Sequence, residues 1–259
     1  MSRVRLRLDV AYDGGPFHGF ARQPGLPTVQ GRLEQALATL CGQPVATVGA
    51  GRTDAGVHAE HQVVHADVPG DWALLADPSA ARHALDARCG AAITVWRVRR
   101  VPGSFDARFS ATQRCYRYRL CDAAALSPLR RHTVWHVGPP ALDIDAMEAA
   151  GAHVVGEHDF TSFCRRRGTQ HLWRRVDRLR VRRRWRGLID VDVDGAAFCH
   201  QMVRSIVGSL LRVGRGQRPP TWMAEVRDAE DRAVAGAVAP PHALVLLAVR
   251  FGPSARPPA

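Results

Sequence analysis

A period-two alternation of charged and aliphatic residues opens the chain and constrains its fold more than any other feature. Between residues 3 and 11, arginine or aspartate alternates with the aliphatic residues Val4, Leu6, Leu8 and Val10. Successive side chains of a β-strand point to opposite faces, so this pattern predicts a strand with one buried and one polar face. Such strands are typical of antiparallel sheets, in which one face packs on a core and the other meets water.

The alternation returns in two neighbouring segments of opposite charge. Arginines alternate in the first segment and aspartates in the second, at Arg180, Arg182, Arg184, Asp190, Asp192 and Asp194. Strands over 176–184 and 188–194, joined as a hairpin, would set opposite charges across from one another. We expect a solvated sheet face that neutralises its own charge.

Helix and turn signals separate the strands. Thr28 is a suitable N-cap for a helix that begins at Val29 and stops at Gly42. Further helices are predicted near 79–88, 143–155, 197–213 and 221–228, and further strands at 45–48, 57–68, 93–101, 112–121 and 243–250. Elements follow a similar order before and after Pro102-Gly103-Ser104, which is typical of a hinge. We predict an α+β fold of two similar halves, 1–104 and 105–252, with mainly antiparallel sheets and a disordered tail at 253–259.

The composition favours a polyanionic partner. The net charge is +12, and neutralising phosphates with release of counterions gives affinity for nucleic acid without sequence recognition. All 36 basic residues are arginine, which excludes Schiff-base and Walker-type lysine chemistry. The longest apolar run, Ala243–Val249, is far shorter than the roughly 20 residues of a membrane helix. No apolar signal block opens the chain, so we expect a soluble cytoplasmic protein without a membrane partner.

Cysteine and histidine spacing predicts neither a redox pair nor a metal site. The six cysteines never form Cys-x-x-Cys, and we expect reduced thiols. His58, His61 and His65 would share a face only on a helix, whereas their segment has the pattern of a strand. We assign no metal.

A glycine-bounded loop, residues 51–59, carries the strongest chemical signal. It has the sequence Gly-Arg-Thr-Asp-Ala-Gly-Val-His-Ala, which places Asp54 two residues after Arg52. An isolated Asp-Ala-Gly is usually a turn, because aspartate side chains hydrogen-bond their own backbone. Glycines on both sides also allow the backbone to approach a ligand closely.

This loop and several later segments together resemble the tRNA pseudouridine synthase A family. The matching segments, in the family's order, are Tyr12-Asp13-Gly14, Thr28-Val29-Gln30, residues 51–65, Ala107-Arg108-Phe109-Ser110-Ala111, Arg114-Cys115-Tyr116-Arg117-Tyr118, Asp159-Phe160-Thr161-Ser162-Phe163 and His200-Gln201-Met202-Val203-Arg204. Each matching segment is weak evidence when it is taken alone. The ordered set spans most of the chain and is highly specific.

The resemblance implies a reaction and its residues. It implies conversion of uridine to pseudouridine at positions 38, 39 and 40 of the tRNA anticodon stem-loop, by a homodimer that needs no cofactor. Within each chain, the two α+β halves are expected to meet at a basic cleft. Asp54 matches the catalytic aspartate, as nucleophile or as base, and Arg52 accompanies it. Tyr116 and Leu244 match residues that contact the uracil, and Arg108 and Arg204 are further substrate-binding candidates. Attack on C1′, attack on C6 and abstraction of the C2′ proton all remain open.

An arginine-rich segment is the best candidate for further contacts to RNA phosphates. Eleven arginines lie between residues 165 and 186, with Asp177 as the one acid. Outside the alternating strand, the candidates are Arg165, Arg166, Arg167, Arg174 and Arg175, which lack acidic neighbours and are interleaved with His171 and Trp173.

Three positions depart from the family pattern, at Phe20-Ala21, Asp86 and Asp106. Two of them add negative charge, so they put RNA affinity in doubt more than the reaction. Two rival functions also stay open. A non-catalytic tRNA-binding protein would bind tRNA without forming product, and a metal-dependent nuclease would lose activity to a chelator.

Overall fold

A computed structural model describes residues 2–165 and 171–252. The chain divides into two compact units, which we describe separately. Unit 1 runs to Thr112 and resumes at Leu246, and unit 2 comprises Gln113–Val245. Both mix helices with mostly antiparallel strands, which confirms the predicted α+β class. The expected tail at 253–259 lies outside the described residues.

Unit 1 packs two helices with an antiparallel sheet. Its elements in chain order are β1 (Arg3–Tyr12), α1 (Val29–Cys41), β2 (Thr47–Gly49), β3 (His58–Pro69), α2 (Pro78–Cys89) and β4 (Ile93–Arg100). The central strand pair is β1 with β3, while β4 flanks β1 and β2 flanks β3. The predicted alternation is confirmed, because Leu6, Leu8 and Val10 are almost fully buried.

The first helix begins and ends where the sequence predicts. Thr28 Oγ1 accepts a hydrogen bond from the Gly31 N–H at 3.2 Å, which satisfies one of the unpaired amides of the first turn. Gly42 has φ 68°, the left-handed conformation that terminates helices and that glycine adopts without steric cost. Leu33 and Leu37 bury their side chains completely, so this stripe faces the unit 1 core.

Unit 2 is also built mainly on antiparallel strands. Its elements are β5 (Ala111–Cys121), β6 (Trp135–His136), α3 (Ile144–Ala152), β7 (Gly156–Asp159), β8 (Trp173–Arg183), β9 (Leu188–Gly195), α4 (Met202–Gly214) and α5 (Trp222–Asp228). The sheet order is β5–β9–β8–β7, with β6 parallel to the end of β5. The last strand, β10 (Leu244–Phe251), starts at the end of unit 2, and its greater part lies beside β3 in unit 1.

The predicted β8–β9 hairpin is confirmed, but its charged face differs from the expectation. Arg180 lies opposite Asp192 and Arg182 lies opposite Asp190. The aspartates are not solvated: Asp190, Asp192 and Asp194 are 7%, 4% and 5% exposed. A second row of arginines, contributed by β5 on the other side of β9, covers them.

Asp192 illustrates this arrangement. It lies opposite Arg117 of β5, whose Nε donates to the carboxylate at 2.7 Å, and Arg182 of β8 donates from the other side. Burial disfavours the charged carboxylate, but hydrogen bonds and charge from the two guanidiniums outweigh it. The pKa of Asp192 is therefore held below its ordinary value.

Several boundaries differ from the sequence-based prediction for local reasons. The helix expected at 197–213 begins only at Met202, because Gln201 has φ 66° and breaks the helical backbone. The helix expected at 143–155 ends at Ala152, where the His153 N–H turns back to the Ala150 carbonyl at 3.2 Å. The strand expected at 45–48 is instead Thr47–Gly49.

The expectation that all cysteines are reduced is wrong for one pair. Cys164 and Cys199 form a disulfide with a Cα–Cα distance of 5.9 Å, although 35 residues separate them in the chain. Two cysteines this far apart in the sequence form no local motif that would predict their pairing. Across 2–165 and 171–252, no helix has the length and apolar character needed to cross a membrane.

The charged layer of β9 should contribute strongly to stability. We expect Asp192→Asn to lower the free energy of unfolding by about 3 kcal/mol, because it leaves two arginines facing a partner without charge. The stabilisation depends on an ionised Asp192 with a lowered pKa, so it should be present above the ordinary carboxyl pKa of 3.8 and fade as the pH falls below it. Urea denaturation at several pH values measures both effects.

Asp177→Asn is the matched control on β8. Asp177 pairs with Arg175 at 2.8 Å, but that arginine side chain is 58% exposed. Removal of such a surface pair should cost less than about 1 kcal/mol. Equal losses in the two variants would contradict a special role for the β9 layer.

Candidate active site

Asp54 lies on the loop that connects β2 to β3 in unit 1. The Val57 N–H donates to the Asp54 carbonyl at 3.1 Å, and Gly56 has φ 77°, so the loop folds back directly after the carboxylate. Asp54 is half-buried and Arg52 is exposed. The loop thus has the tight-turn character expected from its glycines and presents both predicted side chains near the surface.

The side chain of Gln62 forms hydrogen bonds with the backbone at the start of this loop. The residue is completely buried on β3. Its Oε1 accepts from the N–H groups of Gly51 and Val63 at 3.3 and 3.1 Å, and its Nε2 donates to the Gly51 carbonyl at 2.9 Å. One side-chain amide therefore satisfies both backbone groups of Gly51, the residue that precedes Arg52.

Tyr12 extends the same network to the residue before Asp54. Gln62 Nε2 lies 3.5 Å from the Tyr12 hydroxyl, and that hydroxyl lies 2.9 Å from Thr53 Oγ1. Because the hydroxyl accepts from Gln62, it can donate its proton to Thr53. Complete burial raises the pKa of Tyr12 to about 12, so the phenol stays protonated at neutral pH.

Close backbone packing restrains the loop from its outer side. The Phe20 N–H donates to the Thr53 carbonyl at 3.1 Å. A Cβ on Gly19 would lie 3.0 Å from that carbonyl oxygen, and Gly19 has φ 98°, so a larger residue would be strained there. The Asp54 loop is therefore fixed by contacts from two other segments of unit 1.

The three departures from the family pattern have structural roles in unit 1. Phe20 is 2% exposed and lies against Tyr12, with a ring-centroid distance of 6.2 Å. Asp86 Oδ1 accepts from the Val95 N–H at 2.8 Å and so connects α2 to β4. Asp106 Oδ1 accepts from the N–H groups of Arg108 and Phe109 at 2.7 and 2.9 Å. Backbone donors engage both added carboxylates, so each has a partner within unit 1.

The three histidines of β3 lie in separate environments. Nδ1 of the buried His58 lies 3.1 Å from the Gly14 N–H and 3.0 Å from the Asp13 carboxylate, whereas His61 is exposed. His65 Nδ1 accepts from the Ala107 N–H at 2.9 Å, and burial lowers the pKa of His65, which favours this neutral acceptor. Among the described residues, no group of three His, Cys, Asp or Glu side chains is placed to hold a metal ion.

Arg108 is the remaining candidate of unit 1. It is exposed, and its guanidinium carbon lies 5.4 Å from the ring centroid of Phe109, which is itself 80% exposed. The backbone beneath it is held by the Asp106 turn and by the bond from Ala107 to His65. This segment combines a rigid base with an accessible cation and aromatic ring.

Tyr116, Leu244 and Arg204 lie in unit 2. Tyr116 is 8% exposed on β5, and its ring meets Phe198 edge-on at a centroid distance of 5.3 Å. Leu244 is 5% exposed at the start of β10. Arg204 is half-buried in the first turn of α4, and its Nε donates to the Ala239 carbonyl at 2.7 Å. The aromatic and aliphatic side chains are therefore packed rather than loose.

The arginine-rich segment divides into different environments. Arg165 is exposed, and its N–H donates to the His200 carbonyl at 3.0 Å, next to the Cys164–Cys199 disulfide. Arg166 and Arg167 lie outside the described residues. Arg174 donates to the carbonyls of His171 and Trp173.

Arg175 corrects the expectation that these arginines lack acidic neighbours. Its Nε lies 2.8 Å from Asp177, which points to the same face of β8 because it is two residues further along the strand. Arg174 and Arg175 also belong to β8, where they pair with His158 and Glu157 of β7, rather than to a loop. Of the described candidates in this segment, Arg165 and Arg175 are exposed and Arg174 is half-buried.

The supporting residues Tyr12, Thr53 and Gln62 were not assigned a role from sequence. Their functions depend on contacts between segments up to 50 positions apart, which no local pattern encodes. One signal was present: Gln62 is a polar residue at the start of the apolar pair Val63-Val64 in a strand, and a buried amide requires several hydrogen-bond partners.

We expect Gln62→Met to lower the free energy of unfolding by about 3 kcal/mol, because it leaves several buried backbone groups without partners. Amide hydrogen exchange at Gly51 and Val63 should accelerate more than elsewhere in unit 1. Gln30→Met is the matched control, since the Gln30 amide also bonds the backbone, at Arg22 and Thr47, but away from the Asp54 loop. Faster exchange at Gly51 in the control variant as well would contradict the specific support by Gln62.

Comparison with known proteins places this chain in a family. The family model described as tRNA pseudouridine synthase matches residues 150–252. Among solved structures, an archaeal box H/ACA sRNP Nop10–Cbf5 complex matches 80% of this chain and 43% of that chain, with a TM-score of 0.34 and 11% identity.

Curated relatives give the decisive comparison. A tRNA pseudouridine synthase A of Frankia casuarinae is 47% identical over 96% of this chain and 90% of its own length. The protein of that name from Streptomyces griseus is 44% identical over 96% of this chain and 88% of its own length. The one from Mesorhizobium japonicum is 42% identical over 95% of this chain and 99% of its own length. At this identity over nearly the whole sequence, the chain belongs to the tRNA pseudouridine synthase A family.

Proposed function

We propose that this enzyme isomerises uridine to pseudouridine at one or more of positions 38, 39 and 40 in the tRNA anticodon stem-loop, with Asp54 as its catalytic group. The observation that best supports this proposal is the way the Asp54 loop is held. A half-buried carboxylate stands on backbone that Gln62 and the Tyr12–Thr53 pair hold from inside. A catalytic group needs such support, because small displacements are costly to rate.

A carboxylate suits the chemistry of this reaction. The enzyme breaks the bond between ribose C1′ and N1, turns the uracil, joins it through C5 and removes the C5 proton. The sequence of steps is redox-neutral and needs no cofactor. A carboxylate can attack C1′ or C6 as a nucleophile, or take the C2′ proton as a base.

Arg52 is proposed to act on the tRNA beside Asp54. It is exposed, and it has no salt-bridge partner among residues 2–165 and 171–252. A guanidinium in this state can bind phosphate or occupy the space that an extruded base leaves in the stem. Arg108, Arg165 and Arg204 are proposed to add contacts to the tRNA backbone, with smaller contributions from Arg174 and Arg175.

Tyr116 and Leu244 are proposed to receive the extruded uracil. The edge-on contact with Phe198 supports the Tyr116 ring, so the ring can serve as a platform with little loss of conformational entropy. By analogy with the family, we also propose that the enzyme is a cytoplasmic homodimer.

The first test is product formation. Purified protein, without added metal, should form pseudouridine in unmodified tRNA at one or more of the three positions. Asp54→Asn should lower the rate at least about 100-fold and leave tRNA affinity in place, because the substitution removes charge but little volume. Asp71→Asn, which neutralises an exposed carboxylate of the same unit, is the control.

The outcomes separate the candidate functions. Product from Asp54→Asn at the rate of the control would remove Asp54 from the mechanism. Tight tRNA binding by the unsubstituted protein, without product, would favour a non-catalytic RNA-binding protein. Loss of activity to a chelator would indicate a metal-dependent reaction.

Two substitutions at Tyr116 separate stacking from proton transfer. We expect Tyr116→Leu to raise KM, because an aliphatic side chain stacks on uracil less well than an aromatic ring. Tyr116→Phe keeps the ring and should lower kcat with little change in KM if the hydroxyl accepts the C5 proton. Steady-state kinetics on one tRNA measures both, and an unchanged kcat in Tyr116→Phe would assign the proton to another group.

A further inference from the structure

A basic and aromatic cluster lies at the turn between β8 and β9, within unit 2. The Trp185 side chain is 59% exposed at this turn. The guanidinium carbons of Arg130 and Arg186 lie 5.0 and 4.9 Å from its ring centroid. Arg131 follows in the chain and is exposed. We call these four residues the Trp185 cluster.

The charges of this cluster are not neutralised locally. Neighbouring arginines on the hairpin have carboxylate partners: Arg182 pairs with Asp192, Arg183 with Asp122 and Arg184 with Asp190. By contrast, Arg130, Arg131 and Arg186 have no acidic partner in the part of the chain that the structure describes. Three guanidiniums on one surface attract an anion, and repeated anions most strongly.

The backbone at Arg186 departs from what local preference favours. Arg186 has φ 55° and ψ 40°, the left-handed region in which Gly, Asn and Asp are the usual residues. An arginine in this conformation costs about 1 kcal/mol, and the chain places it directly before Gly187, which has φ 70°. A residue that departs in this way from local preference is a candidate for function.

The turn is held firmly in spite of this strain. The Asp122 N–H donates to the Gly187 carbonyl at 3.0 Å. The segment that carries Arg130 is anchored as well, since Leu126 packs against a small core formed by Cys121, Val134 and Leu188. The cluster therefore presents its cations at defined positions rather than on a loose loop.

Contact with the Trp185 ring pre-organises the guanidiniums of Arg130 and Arg186 to bind phosphate. A guanidinium that stacks on an aromatic ring keeps its N–H groups in its own plane, where they can bind phosphate oxygens in pairs. Its rotamer freedom is already reduced, so less conformational entropy is lost on binding.

We propose that the Trp185 cluster binds the sugar–phosphate backbone of the tRNA substrate, at a surface additional to the candidate residues described above. The proposal rests on the proposed function, because it takes tRNA as the polyanion. A second copy of the chain fits less well, since a symmetric contact through this patch would set six unneutralised guanidiniums against one another.

Salt-dependent binding of tRNA tests the proposal. The double variant Arg130→Gln/Arg186→Asn should lower the slope of log affinity against log salt concentration by about 2, because each lost phosphate contact removes about 0.9. KM should rise more than kcat falls. Arg186→Asn alone should retain or raise the melting temperature, because asparagine tolerates left-handed backbone, so weaker binding by this variant would not reflect misfolding.

The matched control is Arg212→Gln/Arg218→Gln. These arginines also stack on an indole, at 5.2 and 5.6 Å from the ring centroid of Trp222, but that tryptophan is only 8% exposed. The control removes the same number of positive charges. Its slope of log affinity against log salt concentration should change by less than half as much as that of Arg130→Gln/Arg186→Asn.

Two results would overturn the proposal. Equal changes of slope in the two double variants would mean that only net charge matters. An unchanged slope together with altered oligomeric mass, measured by light scattering, would assign the cluster to a protein interface. Binding is measured without turnover, so a protein that binds tRNA but forms no pseudouridine would still test the cluster and would fail only the proposed function.

Discussion

The buried amide of Gln62 is the contact on which the candidate site depends. It satisfies both backbone groups of Gly51 and reaches Tyr12, whose hydroxyl bonds Thr53, so the residues on either side of Arg52 are held from within the core. A buried amide is stable only when its donors and acceptors are all used. The same requirement that stabilises the fold therefore also sets the position of the Asp54 carboxylate.

The chain contains arginine but no lysine. In unit 2, arginine serves two physical purposes. Along β5 and β8 it covers the buried aspartates of β9, where a planar guanidinium can bond a carboxylate and lie flat on a sheet. In the Trp185 cluster, Arg130, Arg131 and Arg186 remain without carboxylate partners among the described residues. A high net charge alone could not distinguish the two groups, since only the first is neutralised within the fold.

Local patterns predicted most of the fold and little of the site. The alternation at Leu6, Leu8 and Val10, the Thr28 cap and the opposed charges of Arg180 and Asp192 all act over a few residues or one hairpin, and each is confirmed. Burial of Asp192 was missed because Arg117 reaches it from a strand 75 positions away. The Cys164–Cys199 disulfide and the Gln62 network are non-local in the same way. Asp54 was singled out by family resemblance, and its catalytic role stays a prediction.

The path of the last strand has a consequence for synthesis of the protein. Unit 1 includes the segment from Leu246 onward, in which Val249 and Phe251 pack against Ala50 and Val63. During synthesis, this edge of β3 therefore stays unpaired until residues 246–251 have emerged from the ribosome. An open strand edge is prone to pair with other chains, so slow translation or a truncated message should expose nascent unit 1 to aggregation and make it a client for chaperones.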